Sequence, residues 1–332
     1  MNFRIFQRFA LGLGLAVCAG TQLSTVSAQA PSPPTGLRRL VPGTEITITP
    51  DRQKNETFSH QDLVELKIGH PELMNWPIKS SDLAETQTLR FAATQTPFRR
   101  SVWSLEFSFK PPRMIMVDFP TESGKMQQKV VWYIVYRVRN VGKHLQPFQT
   151  NEGTWDVKEV DQLTSKVAGQ EQAIPINFVP TFSLETVDKK KAYLDRLIPV
   201  ALKPIQDRED PNRRLNSTID MLNIPIPLST PQKDNSVWGV ATWEDVDPRI
   251  DQFQVYVGGL TNVYRFTDPP GTYKPGDPPG TGRIFETKFL QLNFWRPSDA
   301  FTKTETEIYF GLPMRDPASG EEAVIDHQWV FR

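Results

Sequence analysis

The segment "WEDVDPRID" carries the densest group of acidic side chains in the chain, Glu244, Asp245, Asp247 and Asp251. Their carboxylate oxygens are of the type that calcium accepts, and two of them could form the acid pair of a hydrolase. The segment lacks the glycine and the ligand pattern of an EF-hand loop. Asp247-Pro248 is also typical of a turn between two strands. A calcium site, a hydrolytic site and a structural turn therefore remain open here.

Aromatic side chains in the second half of the chain indicate another kind of site. Trp243, Tyr264 and Tyr273 have aspartate or asparagine residues nearby in the sequence. An exposed aromatic ring can stack on the apolar face of a sugar, while polar neighbours bind its hydroxyl groups. Tyr273 lies in the proline- and glycine-rich loop "TDPPGTYKPGDPPGTG", which favours exposure. Because tryptophan in a β-sandwich commonly belongs to the core, a structural role is the alternative.

The rest of the sequence carries no motif for catalysis. The four histidines, His60, His70, His144 and His327, show neither metal-ligand spacing nor an HExxH pattern. There is no GxSxG elbow, no P-loop and no GxGxxG segment after a strand. We therefore predict no catalytic residue and no cofactor, and we favour a non-enzymatic protein.

The first residues have the order of a secretory signal. Arg4 and Arg8 precede an apolar run from Phe9 to Ala19, and small residues follow it. The run is shorter than the roughly 20 residues that cross a membrane, so the mature chain is expected to have no transmembrane segment. Cleavage is predicted after Ala28. The protein is therefore expected to be exported, as a periplasmic, envelope-associated or secreted protein.

Cys18 is the only cysteine and raises the question of a lipid anchor. "LAVC", residues 15–18, resembles a bacterial lipobox, but Val17 stands where that pattern has a small residue. We expect Cys18 to leave with the signal peptide, so that no lipid anchor forms. The mature chain would then contain no disulfide, and its fold would depend on hydrophobic cores.

Charge limits the partners. The chain has 38 basic and 38 acidic side chains and a formal net charge of zero. A neutral chain has no overall field that attracts nucleic acid, so nucleic acid is not expected as a partner. An envelope protein or a polysaccharide remains possible.

Hydrophobic periodicity predicts β-strands in both halves of the chain. In "SVWSLEFSFK", aromatic and aliphatic residues alternate with polar ones, which is typical of a half-buried strand. "KVVWYIVYRVRNVGK" is apolar on both faces at its centre, which predicts a central strand. "DQFQVYVGGL" alternates again, and Gly258-Gly259 permits a bulge or bend. Between the halves, Pro204 could open a short helix that ends near Glu209.

These patterns predict an all-β fold with two immunoglobulin-like β-sandwich domains and a partly helical connector. The expected segments are a signal peptide over 1–28, a proline-rich spacer over 29–43, a first sandwich over 44–187, the connector over 188–215 and a second β-rich domain over 216–332.

Long stretches of the chain resemble a family of exported proteins from planctomycete bacteria. The similarity covers most of residues 85–300, and the stretches that carry it are "FRRSVWSLEFSFKPPRMIMVDFP", "VVWYIVYRVRNVGK", "YLDRLIPVALKPIQDREDPNR", "VWGVATWEDVDPRIDQFQVYVGGLTNVYRF" and "LQLNFWRP". The resemblance implies a bacterial source and an extracytoplasmic location. The family has no assigned activity, so the resemblance implies no substrate and no site residue.

Together, these observations favour a structural or interaction module of the periplasm or cell envelope. The alternatives are an extracytoplasmic hydrolase that uses the acids of residues 244–251, and a calcium- or glycan-binding module.

Overall fold

The computed structural model describes residues 36–59, 98–121, 123–167, 170–188, 190–272, 277, 281–296, 308–315 and 320–332. These residues belong to one compact unit. The predicted signal peptide with Cys18, most of the predicted spacer, and Tyr273 lie outside the described residues.

The structure is mostly β, as the sequence predicts. The strands of the first half are β1 (Arg38–Arg39), β2 (Ile46–Ile48), β3 (Phe58–Ser59), β4 (Phe98–Arg99), β5 (Glu106–Phe109), β6 (Arg113–Pro120), β7 (Met126–Arg139), β8 (His144–Gln149), β9 (Trp155–Val160), β10 (Thr164–Val167), β11 (Gln170–Ala173), β12 (Thr181–Thr186) and β13 (Ala192–Leu194). Those of the second half are β14 (Asn216–Ser217), β15 (Val237–Glu244), β16 (Gln252–Gly258), β17 (Tyr264–Thr267), β18 (Ile284–Trp295), β19 (Tyr309–Phe310), β20 (Leu312–Arg315), β21 (Glu322–Ile325) and β22 (His327–Phe331). The helices are a 3-10 turn (Lys54–Thr57), α1 (Pro199–Glu209) and α2 (Thr218–Met221).

One large sheet is organised around the long strand β7. Its strand order is β14-β15-β7-β5-β2, and β6 also pairs with β7. β5 and β6 are consecutive in the chain and lie along the same edge of β7, because Pro111-Pro112 interrupts one strand between them. β15 occupies the other edge of β7.

The second large sheet is organised around the long strand β18. Its order is β1-β19-β18-β16-β12-β13, and β17 and β22 also pair with β18. β16 and β17 follow one another along one edge of β18. The chain bends between them at Gly259, whose φ of +84° is in the left-handed region. This confirms the bend predicted at Gly258-Gly259.

The two large sheets pack face to face through one shared core. Trp132 of β7 packs edge-on against Phe253 of β16, with ring centroids 5.6 Å apart. Phe109 of β5 meets Phe294 of β18 in the same geometry at 5.9 Å. Because such rings interlock across the interface, the sheets form a single hydrophobic interior.

This shared core corrects the predicted division into two sandwich domains. β7 precedes the predicted connector and β15 follows it, yet they are neighbours in one sheet. β12 and β16 are likewise on opposite sides of the connector and pair in the other sheet. The immunoglobulin-like arrangement is therefore not confirmed. Part of the predicted spacer also belongs to the fold, because β1 pairs with β19.

Helix α1 covers the outer face of β7. Alternate residues of β7 point to opposite faces, so Tyr133 packs with Ala201 and Ile205 of α1 in a second apolar cluster. The prediction of a central strand is thereby confirmed. The predicted helix is also present, but Pro199 opens it and Pro204 lies within it. No helix among the described residues is long and apolar enough to cross a membrane.

Strand β5 is more deeply buried than its alternating pattern predicts. All four of its residues are buried, including the polar ones. The hydroxyl of Ser108 contacts that of Thr47 at 2.9 Å, and Glu106 pairs with Arg139 at 2.9 Å. Polar partners on neighbouring strands thus cover the face that was expected to be exposed.

Candidate functional site

The acidic segment 244–251 ends β15 and forms the turn that leads to β16. Glu244 forms an ion pair with Arg196, and Asp245 lies 3.5 Å from Lys129. Asp245 also has a φ of 56°, as expected of a residue in a tight turn. The two carboxylates are therefore directed to different cations.

Asp247, the next acid of this segment, is also paired with cations. Asp247 pairs with Lys191 at 2.7 Å and with Arg249 at 3.2 Å. Hydrogen bonds from Arg249 and Lys191 hold the pKa of Asp247 well below its ordinary value. The backbone carbonyl of Asp251 accepts a hydrogen bond from the Arg296 amide at 2.7 Å.

The structure therefore supports the interpretation of this segment as a structural turn between β15 and β16. Across the described part of the chain, no group of three or more His, Cys, Asp or Glu side chains is placed to hold a metal ion. The acids predicted for calcium are therefore not brought together as a ligand set in this part of the chain. Asp247 and Asp251 line one surface pocket together with Lys191 and Arg249, so the interpretation as a hydrolytic acid pair stays a prediction.

Two of the three predicted aromatic site residues are described, and they differ in environment. Trp243 is fully buried in the shared core, opposite Trp132 in the strand pairing. It is a core residue, so its predicted role in ligand binding is wrong. Tyr264 is 37% exposed and begins β17 at the edge of a surface cleft.

This cleft, termed here the Lys288 cleft, has a volume of about 340 Å³. Its polar floor consists of Asp51, Glu56 and Lys288, and aromatic side chains form its walls. The aromatic lining residues are Phe58, Tyr264, Trp329 and Phe331.

The strand register explains how these side chains come together. Lys288 is opposite Phe331, and Leu290 is opposite Trp329, in the pairing of β18 with β22. Residues of a strand that are two apart share a face, so Lys288 continues the core-facing row that contains Leu290. In this row, Leu290 belongs to the hydrophobic core, whereas Lys288 lines the surface cleft.

Lys288 is 2% exposed at its side chain and is fully hydrogen bonded. Its ammonium group donates to the carbonyl of Asp51 at 3.0 Å, to the carboxylate of Asp51 at 2.9 Å and to Glu56 at 2.5 Å. An ammonium group has three N–H donors, so each one is used. The Trp329 ring centroid lies 5.7 Å from this nitrogen.

The electrostatics of the floor favour an ionised carboxylate at Asp51. Burial acts to raise the pKa of Asp51, but hydrogen bonds from Lys288 and Gln53 outweigh it and lower the pKa overall. Glu56 accepts a further bond from the Gln53 amide at 3.2 Å. Both side chains accept hydrogen bonds from Lys288, and the lowered pKa of Asp51 is the opposite of the raised pKa that a general acid needs. The described residues that line the cleft include no serine, cysteine or histidine.

Exposed and half-buried aromatic rings continue from the cleft along the β17–β18 hairpin. Phe266 is opposite Phe285 in the pairing, and their ring centroids are 6.0 Å apart. Tyr264 lies 5.9 Å from the same Phe285 ring, which is 59% exposed. These three residues are termed the aromatic stripe.

Arginines stack on both ends of the aromatic stripe. The guanidinium carbon of Arg100 lies 3.8 Å from the Tyr264 ring centroid, and that of Arg283 lies 3.8 Å from that of Phe266. Arg100 also donates a 2.5 Å hydrogen bond to the carbonyl of Tyr264. Stacking and hydrogen bonding fix the outer rings, so the stripe presents a preformed surface.

Sequence reasoning identified Tyr264 but missed the rest of this site. Asp51 and Glu56 lie in a segment without a motif, and Trp329 lies in a short strand near the end of the sequence. One signal was present, because Lys288 interrupts an otherwise apolar row of alternate residues in "KFLQLNF".

Comparison with known proteins finds no matching family model, no matching curated protein and no matching solved structure. The resemblance to exported planctomycete proteins therefore stays a prediction.

Proposed function

We propose that the protein is an exported, non-enzymatic binding module of the bacterial cell envelope, and that the Lys288 cleft and the aromatic stripe bind a polysaccharide. The single observation that carries this proposal is the contact between exposed aromatic rings and a floor of paired charges. Tyr264 joins the two parts, because it forms part of the wall of the Lys288 cleft and also belongs to the aromatic stripe.

Sugar chemistry suits both parts of this surface. A pyranose ring has an apolar C–H face, which stacks on an aromatic ring, and hydroxyl groups around its edge. The Asp51 carboxylate is partly exposed and can accept hydrogen bonds from hydroxyl groups. Asp51 and Glu56 carry two negative charges beside the positive charges of Lys288, Arg100 and Arg265, so the lining favours a neutral or weakly charged saccharide.

The export part of the proposal is supported by the order of charged, apolar and small residues over 1–28. Mass spectrometry of the protein isolated from its native cells tests it. A chain that begins at Gln29 is expected. A chain that retains residues 1–28, or one acylated at Cys18, would contradict the predicted cleavage.

The binding part is tested by affinity electrophoresis and calorimetry with a panel of neutral and acidic polysaccharides. Replacing Tyr264 with alanine is expected to weaken binding about tenfold, which corresponds to roughly 1.4 kcal/mol for one stacking contact. Phe285→Ala is expected to act in the same direction, because Phe285 provides the next ring of the stripe.

Trp155→Ala is the matched control. Trp155 is an exposed ring on β9 that stacks on Arg99 at 4.2 Å, in the same way that Tyr264 stacks on Arg100. This variant should bind like the wild type. Equal losses in Trp155→Ala and Tyr264→Ala, or no retained polysaccharide at all, would overturn the proposal.

A further inference from the structure

His144 is a fully buried residue whose ring has no partner. It begins β8 and is 0% exposed. Within the described part of the chain, neither its Nδ1 nor its Nε2 has a hydrogen-bond partner. A buried polar group without a partner costs about 1–3 kcal/mol, so this ring is an unusual feature of a folded interior.

The same ring lines a pocket of about 260 Å³, termed the His144 pocket. Two extended segments, 173–176 and 225–228, form its walls. The Ile226 amide donates to the Ile176 carbonyl at 2.8 Å and holds the two segments side by side. Isoleucine, leucine and proline side chains of these walls give the pocket an apolar lining.

The polar groups of the pocket lie at two places. Asn140 lies beside His144 on the floor, but its amide group is already used, since it donates to the Ile226 carbonyl at 3.2 Å and accepts from the Gly142 amide at 2.9 Å. Asp161 and Gln162 are exposed at the mouth. Of these two side chains, only the ring of His144 has polar atoms that make no hydrogen bond.

The imidazole is uncharged at neutral pH. Burial and the nearby charge of Arg52 lower the pKa of His144 to about 4, although Asp161 opposes this shift. A neutral imidazole has one N–H donor and one bare acceptor nitrogen. A hydroxyl group can serve either nitrogen, because it both donates and accepts.

We propose that the His144 pocket is a binding site for a small uncharged molecule that has an apolar body and a hydroxyl group, of the phenol class. The apolar walls take the body of the molecule, and the hydroxyl group pairs with the imidazole of His144. The volume is slightly below the roughly 300–1,000 Å³ of pockets for drug-sized ligands, so the ligand is small. The site shares no residue with the Lys288 cleft and stands independently of the proposed sugar binding.

The test uses p-cresol as the probe and toluene as the matched probe that lacks only the hydroxyl group. Both are titrated into histidine-labelled full-length protein, and the ring signals of the four histidines are followed by NMR. Saturable shifts of the His144 signals with p-cresol are expected, at an affinity at least about tenfold higher than that of toluene, as for one hydrogen bond. His327 lies outside the pocket, and its signals should not move.

Two variants complete the test. His144→Leu removes the hydrogen bond and is expected to weaken p-cresol binding by at least about tenfold without changing that of toluene by as much. Ile174→Trp, at the exposed edge of the wall, leaves the imidazole in place and is expected to block both probes. If p-cresol gives no saturable shift, so that the pocket holds water only, or if its binding survives both variants, the proposal is overturned.

Discussion

The ammonium group of Lys288 lies 2.9 Å from the carboxylate of Asp51, although 237 residues separate the two in the chain. This contact and the one with Glu56 fasten the segment that contains the 3-10 turn to β18. The floor of the proposed sugar site therefore also connects an N-terminal segment of the described fold to strand β18, which is far away in the sequence.

The first prediction concerns the loss of this cation. Lys288→Met leaves Asp51 and Glu56 close together without a positive charge, and removing one partner of a buried ion pair costs about 3–5 kcal/mol. We expect the free energy of unfolding in urea to fall by about this amount. Lys203→Met, which removes an exposed pair with Asp207 on α1, should change it by less than about 0.5 kcal/mol.

A triple variant tests the cause of that loss. When Lys288→Met is combined with Asp51→Asn and Glu56→Gln, the unpaired charges are absent, and most of the stability should return. If the triple variant is as unstable as Lys288→Met, lost packing of the lysine chain explains the effect and the charge argument is wrong.

The second prediction concerns pH. The pKa of His144 is about 4 in the folded protein and 6.5 for an unperturbed histidine. Between these values the unfolded chain takes up a proton that the folded chain does not. The contribution of His144 to the free energy of unfolding is therefore fully present above pH 6.5 and is lost as the pH decreases towards 4. The loss from this residue is at most about 3 kcal/mol.

Urea unfolding at several pH values between 4 and 7 measures this effect. His144→Leu should show a smaller decrease of stability over that window, because leucine takes up no proton. Parallel curves for the wild type and the variant would show that His144 does not cause the decrease.

The third prediction compares two glycines with nearly equal backbone angles. Gly259 and Gly43 have φ values of +84° and +87°. A Cβ atom at Gly259 would lie 2.0 Å from the carbonyl oxygen of Val179, whereas nothing lies within 4 Å of one at Gly43. Gly43→Ala should cost about 1–2 kcal/mol through backbone strain alone. Gly259→Ala should cost about 2–5 kcal/mol, because overpacking adds to the strain.

Thermal and urea unfolding of both variants give the comparison. Because backbone strain is common to the two sites, the difference between the two losses measures the effect of the close contact between Gly259 and Val179, in the segment before β12. Equal losses would mean that the backbone shifts to make room.

The fourth prediction concerns the end of α1. Glu209 is 3% exposed at its side chain and accepts hydrogen bonds from Tyr133 at 2.8 Å, Arg113 at 2.9 Å and Lys110 at 3.2 Å. Glu209→Gln removes the charge that balances two half-buried cations, and a loss of about 3 kcal/mol is expected. Tyr133→Phe removes one hydrogen bond to a charged group and should cost about 1.5–3 kcal/mol.

A double-mutant cycle of these two changes checks the argument. The double variant should lose less than the sum of the single losses, because both changes act on one hydrogen bond. Additive losses would show that Tyr133 and Glu209 stabilise the protein independently.

Local patterns predicted the strands well and their partners poorly. The alternation of β16 and the apolar centre of β7 are local signals, and both strands were found. Which strands become neighbours depends on contacts between residues far apart in the chain, and these leave no periodic signal. For this reason the sequence predicts a boundary between domains at the connector, 188–215, although strands on its two sides share both large sheets.

The same limit applies to the site. Tyr264 could be identified because its aromatic type and neighbours are visible locally. Asp51 and Glu56 become site residues only because the fold brings them to Lys288. The residue type of Trp243 predicts a site residue, but its position in β15 directs its side chain into the core.

The pairing of β7 with β15 also has a consequence during synthesis. β7 ends at Arg139 and β15 begins at Val237, so about 100 residues are made between them. At roughly 5–20 residues per second, the ribosome needs about 5–20 seconds for this stretch. During that time one edge of an apolar strand has no partner, and such an unpaired edge favours aggregation of the nascent chain.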